Sequence, residues 1–173
     1  MKILSLYALV LGLLLVGCSS REEGPVDRVD LDVLLSRMTN VNTFAEAPLG
    51  ESFLVSSYDR RGGNQDWAIY TKTQPNGRIT IFEAEGPGYL SRFWIASFYA
   101  DRWLFFFDGE PEPRLSLTKD DFFGGKFPFV APLAGKSGGG RYSLVPISFS
   151  KSLRIEIEPS SLEPSKRNYF HIN

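Results

Sequence analysis

Residues 153–158 read Leu-Arg-Ile-Glu-Ile-Glu, and this stretch decides the fold class. Apolar and charged side chains alternate in it, as in a strand with one buried face. The same alternation recurs at residues 78–82, after a Pro-Asn-Gly turn. Residues 89–99 and 103–107 are apolar on both faces, which predicts strands that are covered on both sides. We therefore expect their aromatic side chains to fill the core. These are Phe93, Trp94, Phe105 and Phe107.

Short strands separated by turns are predicted for most of the remaining chain. Further strands are expected at residues 52–57, 67–72, 114–117, 141–146 and 168–172. Residues 27–38 have helical periodicity and a cap at Asp27 or Asp30. About nine strands favour an all-β fold, a single jelly-roll-type β-sandwich with a short N-terminal helix. An immunoglobulin-type Greek-key sandwich is the alternative, although its Cys…Trp…Cys arrangement is absent.

The composition excludes several classes of protein. The chain has 173 residues, enough for one domain. Its 19 basic and 20 acidic residues leave no basic footprint for nucleic acid. One Cys and one His exclude a disulfide scaffold and a zinc finger. We expect no cofactor and no metal.

The N-terminus has the pattern of a targeting segment. Lys2 precedes an apolar run at residues 3–16, too short for a typical membrane span. Residues 15–18 (LVGC) resemble the lipobox of bacterial lipoproteins, in which Cys18 would be lipidated. An ordinary secretory signal with an incidental Cys is the alternative.

This pattern predicts three regions and a location. They are a lipoprotein signal peptide at 1–17, a lipidated tether at 18–27 and a jelly-roll domain at 28–173. The protein would be lipid-anchored in the bacterial cell envelope, on the periplasmic or extracellular face. Ser19 after Cys18 favours the outer membrane if the cell is Gram-negative.

The densest polar stretch is residues 56–67 (SSYDRRGGNQDW). Its carboxylates, guanidiniums and amides surround a Gly pair, an arrangement suited to gripping sugar hydroxyls. The candidate substrate-binding residues are Asp59, Arg60, Asn64 and Asp66. The alternative is a surface loop in which Asp59 and Arg60 brace each other.

Other candidates for chemistry are weaker. Glu83 and Glu85 share one strand face and could form a glycosidase pair, but exposed like charges are the commoner explanation. Residues 138–140 (GGG) lack the Gly-Lys-Ser/Thr of a phosphate loop, which favours a flexible turn or a close backbone contact. His171 is a lone imidazole, so a metal site built on it is not expected.

Several motifs in chain order resemble a known family. They are residues 56–64 (SSYDRRGGN), 85–88 (EGPG), 92–95 (RFWI), 107–110 (FDGE), 120–124 (DDFFG), 138–140 (GGG) and 169–172 (YFHI). Together they resemble the N-terminal part of glycoside hydrolase family 172, formerly domain of unknown function 2961. The resemblance runs from about Asp30 to Asn173, and Arg61 stands where the family motif has a small polar residue.

The resemblance implies a jelly roll, present twice in family members, which form trimers or larger assemblies. It also implies activity on fructofuranosides or arabinofuranosides with retention of the anomer, which requires two carboxylates about 5 Å apart. The family segment associated with catalysis contains Thr-Glu-Asp and lies in the second half of the full-length protein. No Thr-Glu-Asp occurs in these 173 residues, so no catalytic residue is assigned.

Two hypotheses of function follow, and whether the chain is an enzyme stays open. The first is a fragment of a cell-envelope lipoprotein that resembles furanoside-acting retaining glycoside hydrolases and is inactive alone. The second is a stand-alone glycan-binding or assembly module. The partners implied are a furanose-containing glycan, the membrane through the lipid anchor, and further copies in a homo-oligomer, a trimer by resemblance.

Overall fold

The computed structural model describes residues 30–46, 50–66, 72–160 and 168–173. The predicted signal peptide, Cys18 and the tether lie outside the described residues. Most of the predicted strand 67–72 also lies outside them.

A short helix, α1 (Leu31–Thr39), precedes the strands, and a 3₁₀ turn at Val41–Ala45 follows it. Asp30 caps α1, because its Oδ1 accepts the Val33 N–H at 3.1 Å. Arg37 in the last turn pairs with Glu46 at 2.7 Å. The predicted helix is thus confirmed over its described part, with Asp30 as its cap. Asp27 lies outside the described residues.

Twelve strands form in the described residues. They are β1 (Val55–Ser56), β2 (Lys72–Thr73), β3 (Ile79–Glu85), β4 (Gly88–Leu90), β5 (Phe93–Ala96), β6 (Ala100–Phe107), β7 (Leu115–Thr118), β8 (Ala134–Ser137), β9 (Gly140–Ser143), β10 (Ile147–Phe149), β11 (Ser152–Pro159) and β12 (Tyr169–Ile172).

The strand order confirms the predicted jelly roll. One sheet has the order β1-β12-β5-β9-β8, the other β2-β3-β11-β6-β7, and β10 pairs with β4. All these pairings are antiparallel. Lettered B to I in chain order, the eight principal strands (β1, β3, β5, β6, β7, β9, β11 and β12) give orders B-I-D-G and C-H-E-F. This is the order of a jelly roll rather than of an immunoglobulin sandwich.

The predicted strand at 89–99 is wrong in its extent, because the chain changes partner sheets within it. β4 ends at Leu90 and pairs with β10, whereas β5 begins at Phe93 and pairs with β12 and β9. Between them, the Ser91 N–H donates to the Asn173 carbonyl at 2.8 Å. β5 then ends at Ala96, and β6 begins three residues earlier than predicted.

The core is a cluster of aromatic rings between the two sheets. Phe122 is fully buried at its centre. Its ring meets Phe93, Phe105 and Phe129 edge-on, with ring centroids 5.0, 5.4 and 5.2 Å away. The DDFFG motif therefore supplies core side chains on a kinked turn (Asp121–Gly125).

Trp94 is an exception to the predicted core. It is half-buried, and it lies beside His171 of the neighbouring strand with ring centroids 5.1 Å apart. Phe93 and Ile95 on either side of it are buried, so the alternation of β5 turns Trp94 to the outer face. Phe93, Phe105 and Phe107 are core residues, as predicted.

The strand registers bring several loops to one end of the sandwich, which we call the motif end. The Ser57 N–H bonds the Phe170 carbonyl at 3.2 Å, and Tyr169 pairs with Ala96. The loop after β1 and the turn after β5 therefore leave the first sheet at the same end. The β8–β9 turn joins them, because Arg141 pairs with Ile95.

The second sheet reaches the motif end through the short connection from β5 to β6. β6 begins there at Ala100, and its residue Arg102 pairs with both Thr118 and Glu158. The end of β7 and the end of β11 therefore lie at the motif end as well. The polar stretch noted in the sequence, over its described residues 56–66, thus lies at the same end of the sandwich as the turn after β5, the β8–β9 turn and the ends of β7 and β11.

Candidate functional site at the motif end

The loop at residues 57–66, which we call the motif loop, is organised around the carboxylate of Asp59. This residue is only 5% exposed. Its Oδ1 accepts the backbone N–H of Arg61 at 3.0 Å and the Arg61 Nε–H at 3.2 Å. Its Oδ2 accepts the Gln65 N–H at 3.2 Å. Both oxygens therefore serve the loop itself, as Asp side chains do in turns.

Two neighbours complete the bracing of Asp59. The Asp66 carboxylate accepts the Asp59 backbone N–H, and the Asp59 carbonyl accepts the Gly62 N–H at 3.0 Å. A Cβ atom at Gly63 would lie 2.6 Å from Asp59 Oδ2. A side chain at Gly63 would therefore collide with the Asp59 carboxylate, which explains the glycine at this position.

The two arginines of the loop have different surroundings. Arg61 makes the ion pair with Asp59 (Nε to Oδ1, 3.2 Å), although its side chain is 61% exposed. Arg60 lies 4.7 Å from the centre of the Tyr58 ring. It donates to the carbonyls of Tyr58 and Ser56 at 3.1 and 3.3 Å. Arg61, which stands where the family motif has a small polar residue, therefore braces the loop through Asp59.

The four candidate substrate-binding residues lie in one loop but differ in their exposure to solvent. Asp59 is buried, Asp66 is half-buried, and Arg60 and Asn64 are exposed. Exposed groups can contact a ligand, whereas the Asp59 oxygens are already hydrogen-bonded within the loop. Arg60 and Asn64 are thus the members best placed for contact.

A cleft of about 260 Å³, which we call the side cleft, lies between β1 and β3. Arg60, Lys72 and Glu83 supply its charged groups, and Ser56 and Ser57 lie beside them. The structure thus brings Arg60 and Glu83 to one cleft, which their separation in the sequence did not indicate.

Glu83 and Glu85 do not form the arrangement of a glycosidase pair. Both are exposed on one face of β3, and their backbones are about 6.7 Å apart along the strand. Glu83 lies opposite Arg154 and Glu85 opposite Ser152. A retaining pair must flank a sugar from two sides of a cleft, and two neighbours on one flat strand face do not.

A larger cleft of about 510 Å³, the end cleft, lies between the turn after β5, the end of β7 and the β8–β9 turn. Its principal polar residues are Ser97, Tyr99, Asp101, Lys119, Asp120 and Arg141. Because these residues come from distant segments, no pattern in the sequence indicated that they would lie together.

Two cations of the end cleft have defined partners. Lys119 Nζ donates to the Phe98 carbonyl at 2.7 Å, and Arg141 Nη1 lies 3.0 Å from Asp120 Oδ1. Burial lowers the pKa of Lys119, and the positive charge of Arg141 lowers it further. The cleft thus holds two fixed cations beside a carboxylate.

Glu156 is a second buried charge that the alternating pattern predicted to be exposed. It is only 4% exposed. Arg154 lies 3.2 Å from one of its carboxylate oxygens and Arg78 4.0 Å from the other. The expectation of a solvent-facing Glu156 is therefore wrong, since the two arginine side chains lie beside its carboxylate.

The remaining sequence candidates have structural explanations. Gly138 and Gly139 have φ values of 58° and 82° and form the two-residue turn of the β8–β9 hairpin. Partial burial lowers the pKa of His171, and Arg92 lowers it further. Among the described residues, no group of three or more His, Cys, Asp or Glu side chains is placed to hold a metal ion. Within the same part of the chain, no helix has the length and apolarity to cross a membrane.

One of the comparisons with known proteins supports the β-sandwich fold. No curated protein matches the chain. Residues 50–173 match a family model described as the GH172 first beta-sandwich domain. This match includes the motif loop, both clefts and all twelve strands. The chain therefore belongs to glycoside hydrolase family 172 and contains the first β-sandwich domain of that family.

Proposed function

We propose that this chain is the glycan-facing sandwich of a furanoside-acting, anomer-retaining glycoside hydrolase, and that it is inactive alone. One observation carries the second half of the proposal. The motif carboxylate, Asp59, is buried, and both of its oxygens accept hydrogen bonds from the motif loop. A nucleophile or acid must instead present a free oxygen to the sugar.

Four other carboxylates support the same proposal. Asp66 accepts the Asp59 N–H, and Asp120 pairs with Arg141. Glu83 and Glu85 lie on one exposed strand face. The catalytic pair would then come from a second sandwich carrying the Thr-Glu-Asp segment, and this domain would contact the sugar through Arg60 and Asn64.

Reconstitution tests this proposal. The test uses a version of the protein without residues 1–17 and with Cys18→Ala, which we call the Cys18→Ala chain. This chain, a separate second-sandwich chain of the same family with Thr-Glu-Asp, and their mixture are assayed on aryl arabinofuranosides and fructofuranosides. We expect the mixture to turn over substrate at least ten times faster than the second sandwich alone. A mixture no faster than the second sandwich alone would contradict the proposal and favour the stand-alone binding module.

We also propose that Cys18 carries a lipid that anchors the protein in the cell envelope. The sequence of basic residue, apolar run and LVGC supports this. Labelling with a radioactive fatty acid should mark the wild type and not Cys18→Ala. Equal labelling of the two would contradict the anchor.

Assembly into a homo-oligomer is the third part of the proposal. The turn before β8 exposes Phe127 almost completely (85%), with Val130 exposed near it. An exposed aromatic beside a second apolar side chain is a feature of association surfaces. Sedimentation of the Cys18→Ala chain should give a trimer that Phe127→Ser weakens, and a monomer at all concentrations would contradict it.

A further inference from the structure

The end cleft carries charges of both signs that cancel within it. Lys119 and Arg141 contribute two positive charges, and Asp101 and Asp120 contribute two negative ones. Arg141 is paired with Asp120 at 3.0 Å. Lys119 uses one N–H on the Phe98 carbonyl, and an ammonium group has two more to donate. The cleft therefore offers hydrogen-bond donors and acceptors with no net charge.

The backbone at the mouth of the end cleft is strained. Ser97 has a φ of 46°, in the left-handed region that residues with a Cβ rarely adopt. It is exposed, and it forms the turn by which the chain leaves β5 for β6. Strained backbone of this kind concentrates at ligand sites. The strain is an observation independent of the charges.

The size and position of the cleft also suit a ligand. Its volume of about 510 Å³ lies in the range of small-molecule sites. It opens at the motif end, the same end as the motif loop, but it is lined by different residues. The residues that could contact a glycan, Arg60 and Asn64, thus lie at the same end of the sandwich as this cleft.

We propose that the end cleft binds a neutral sugar residue of the glycan, through Lys119, Asp120 and Arg141. Vicinal hydroxyl groups both donate and accept, which matches a cation and a carboxylate fixed side by side. A phosphate or a uronate carries a net negative charge, which a cleft with two cations and two carboxylates does not balance. The inference rests on the proposed function only in its choice of a furanose glycan as the ligand.

Titration of the labelled Cys18→Ala chain with arabinofuranosyl trisaccharide, followed by backbone amide NMR, tests the proposal. We expect the amides of Ser97, Asp101, Lys119 and Arg141 to shift and saturate at millimolar sugar. Asp120→Asn and Lys119→Gln should each weaken binding at least tenfold. Lys151→Gln, at the opposite end of the sandwich, is the matched control and should leave the affinity unchanged.

A second variant separates binding from folding. Ser97→Gly keeps the left-handed turn without strain and removes the hydroxyl group. It should weaken sugar binding by a few-fold while its melting temperature stays equal or rises. An affinity equal to that of the wild type would show that the Ser97 hydroxyl group does not contact the sugar.

Other outcomes overturn the assignment itself. Shifts confined to residues 57–66, unchanged affinity in both charge variants, or no saturable shift at all would each contradict a sugar site in the end cleft. Tighter binding of glucuronate or inorganic phosphate would contradict a neutral ligand. Hydrolysis by the chain alone would overturn the proposed function but would leave these amide shifts unaffected, so the two failures are distinguishable.

Discussion

Oδ2 of Asp59 occupies the position beside Gly63, so that a Cβ atom on Gly63 would lie 2.6 Å from it. The same oxygen accepts the Gln65 N–H at 3.2 Å. The glycine and the carboxylate of the motif therefore depend on each other through packing. This relationship explains the motif without assigning a catalytic role to the carboxylate.

Gly63→Ala should displace the Asp59 carboxylate from its backbone partners. Because those N–H groups would lose their acceptor, we expect a loss of about 1–3 kcal/mol in the free energy of unfolding. Urea denaturation measures it. Gly50→Ala is the control, since nothing lies within 4 Å of a Cβ there, and it should change stability by less than about 0.5 kcal/mol. Equal effects of the two substitutions would contradict the bracing of the loop.

Asp108 should make stability depend on pH at the opposite end of the sandwich. Its Oδ1 accepts the backbone N–H groups of Lys151, Ser150 and Ser152 at 2.6, 3.0 and 3.3 Å. These hydrogen bonds, that of Lys151 above all, lower the pKa of Asp108, and Arg114 contributes. The stabilisation is therefore complete above the ordinary carboxyl pKa of 3.8 and is lost as the pH falls through the lowered value.

Asp108→Asn tests this pH dependence. Asn tolerates the φ of 54° at this position, so the substitution changes the charge rather than the turn. We expect the variant to be less stable than the wild type at pH 7 and the difference to shrink below about pH 4. Glu112→Gln, an exposed position in the same connection, is the control in melting experiments. A difference that stays constant from pH 7 to pH 2 would exclude the carboxylate as its source.

Phe122→Ala should be strongly destabilising. Its fully buried ring lies edge-on to Phe93, Phe105 and Phe129, and its removal leaves a cavity. We expect a loss of about 3–5 kcal/mol by urea denaturation. Phe127→Ala, which truncates a ring that is 85% exposed, should cost less than about 0.5 kcal/mol in the monomer. A small loss at Phe122 would be inconsistent with a core between the two sheets.

Gly140→Ala should disturb Trp94 on the outer face of the first sheet. A Cβ atom there would lie 2.6 Å from Trp94 Nε1 and 2.9 Å from the Ile95 carbonyl oxygen. We expect a loss of about 1–3 kcal/mol and a changed tryptophan emission spectrum. Gly135→Ala is the milder control, since its Cβ would meet the Tyr142 hydroxyl at 3.3 Å. Unchanged fluorescence in Gly140→Ala would place Trp94 away from β9.

The fold was predictable from the sequence because it depends on local alternation. Residues 153–158 became β11, the central strand of one sheet. The break between Leu90 and Phe93 was not predictable, because Asn173 at the far end of the chain supplies the partner for Ser91. The alternation also predicted wrongly that Glu156 is exposed. A local pattern carries no information on Arg78, which is distant in the sequence but lies 4.0 Å from the Glu156 carboxylate.

The candidate site was predictable only where its residues are contiguous. The motif loop is recognisable in the sequence as a polar stretch with a Gly pair, and the Asp59 carboxylate organises it. Its burial depends on contacts with Arg61 and Gln65 that composition does not reveal. The end cleft joins Ser97, Lys119 and Arg141, three residues from separate segments of the chain, and only the strand registers bring them together.

The central claim is that this sandwich supplies no catalytic pair of its own. The most direct test is hydrolysis of aryl arabinofuranosides and fructofuranosides by the purified Cys18→Ala chain, without any second sandwich. A retaining mechanism needs two carboxylates about 5 Å apart, and we assign no such pair to this chain. We therefore predict no turnover above that of buffer. Turnover that survives purification and disappears in Asp59→Asn or Glu85→Gln would contradict the account and place the active site within this chain.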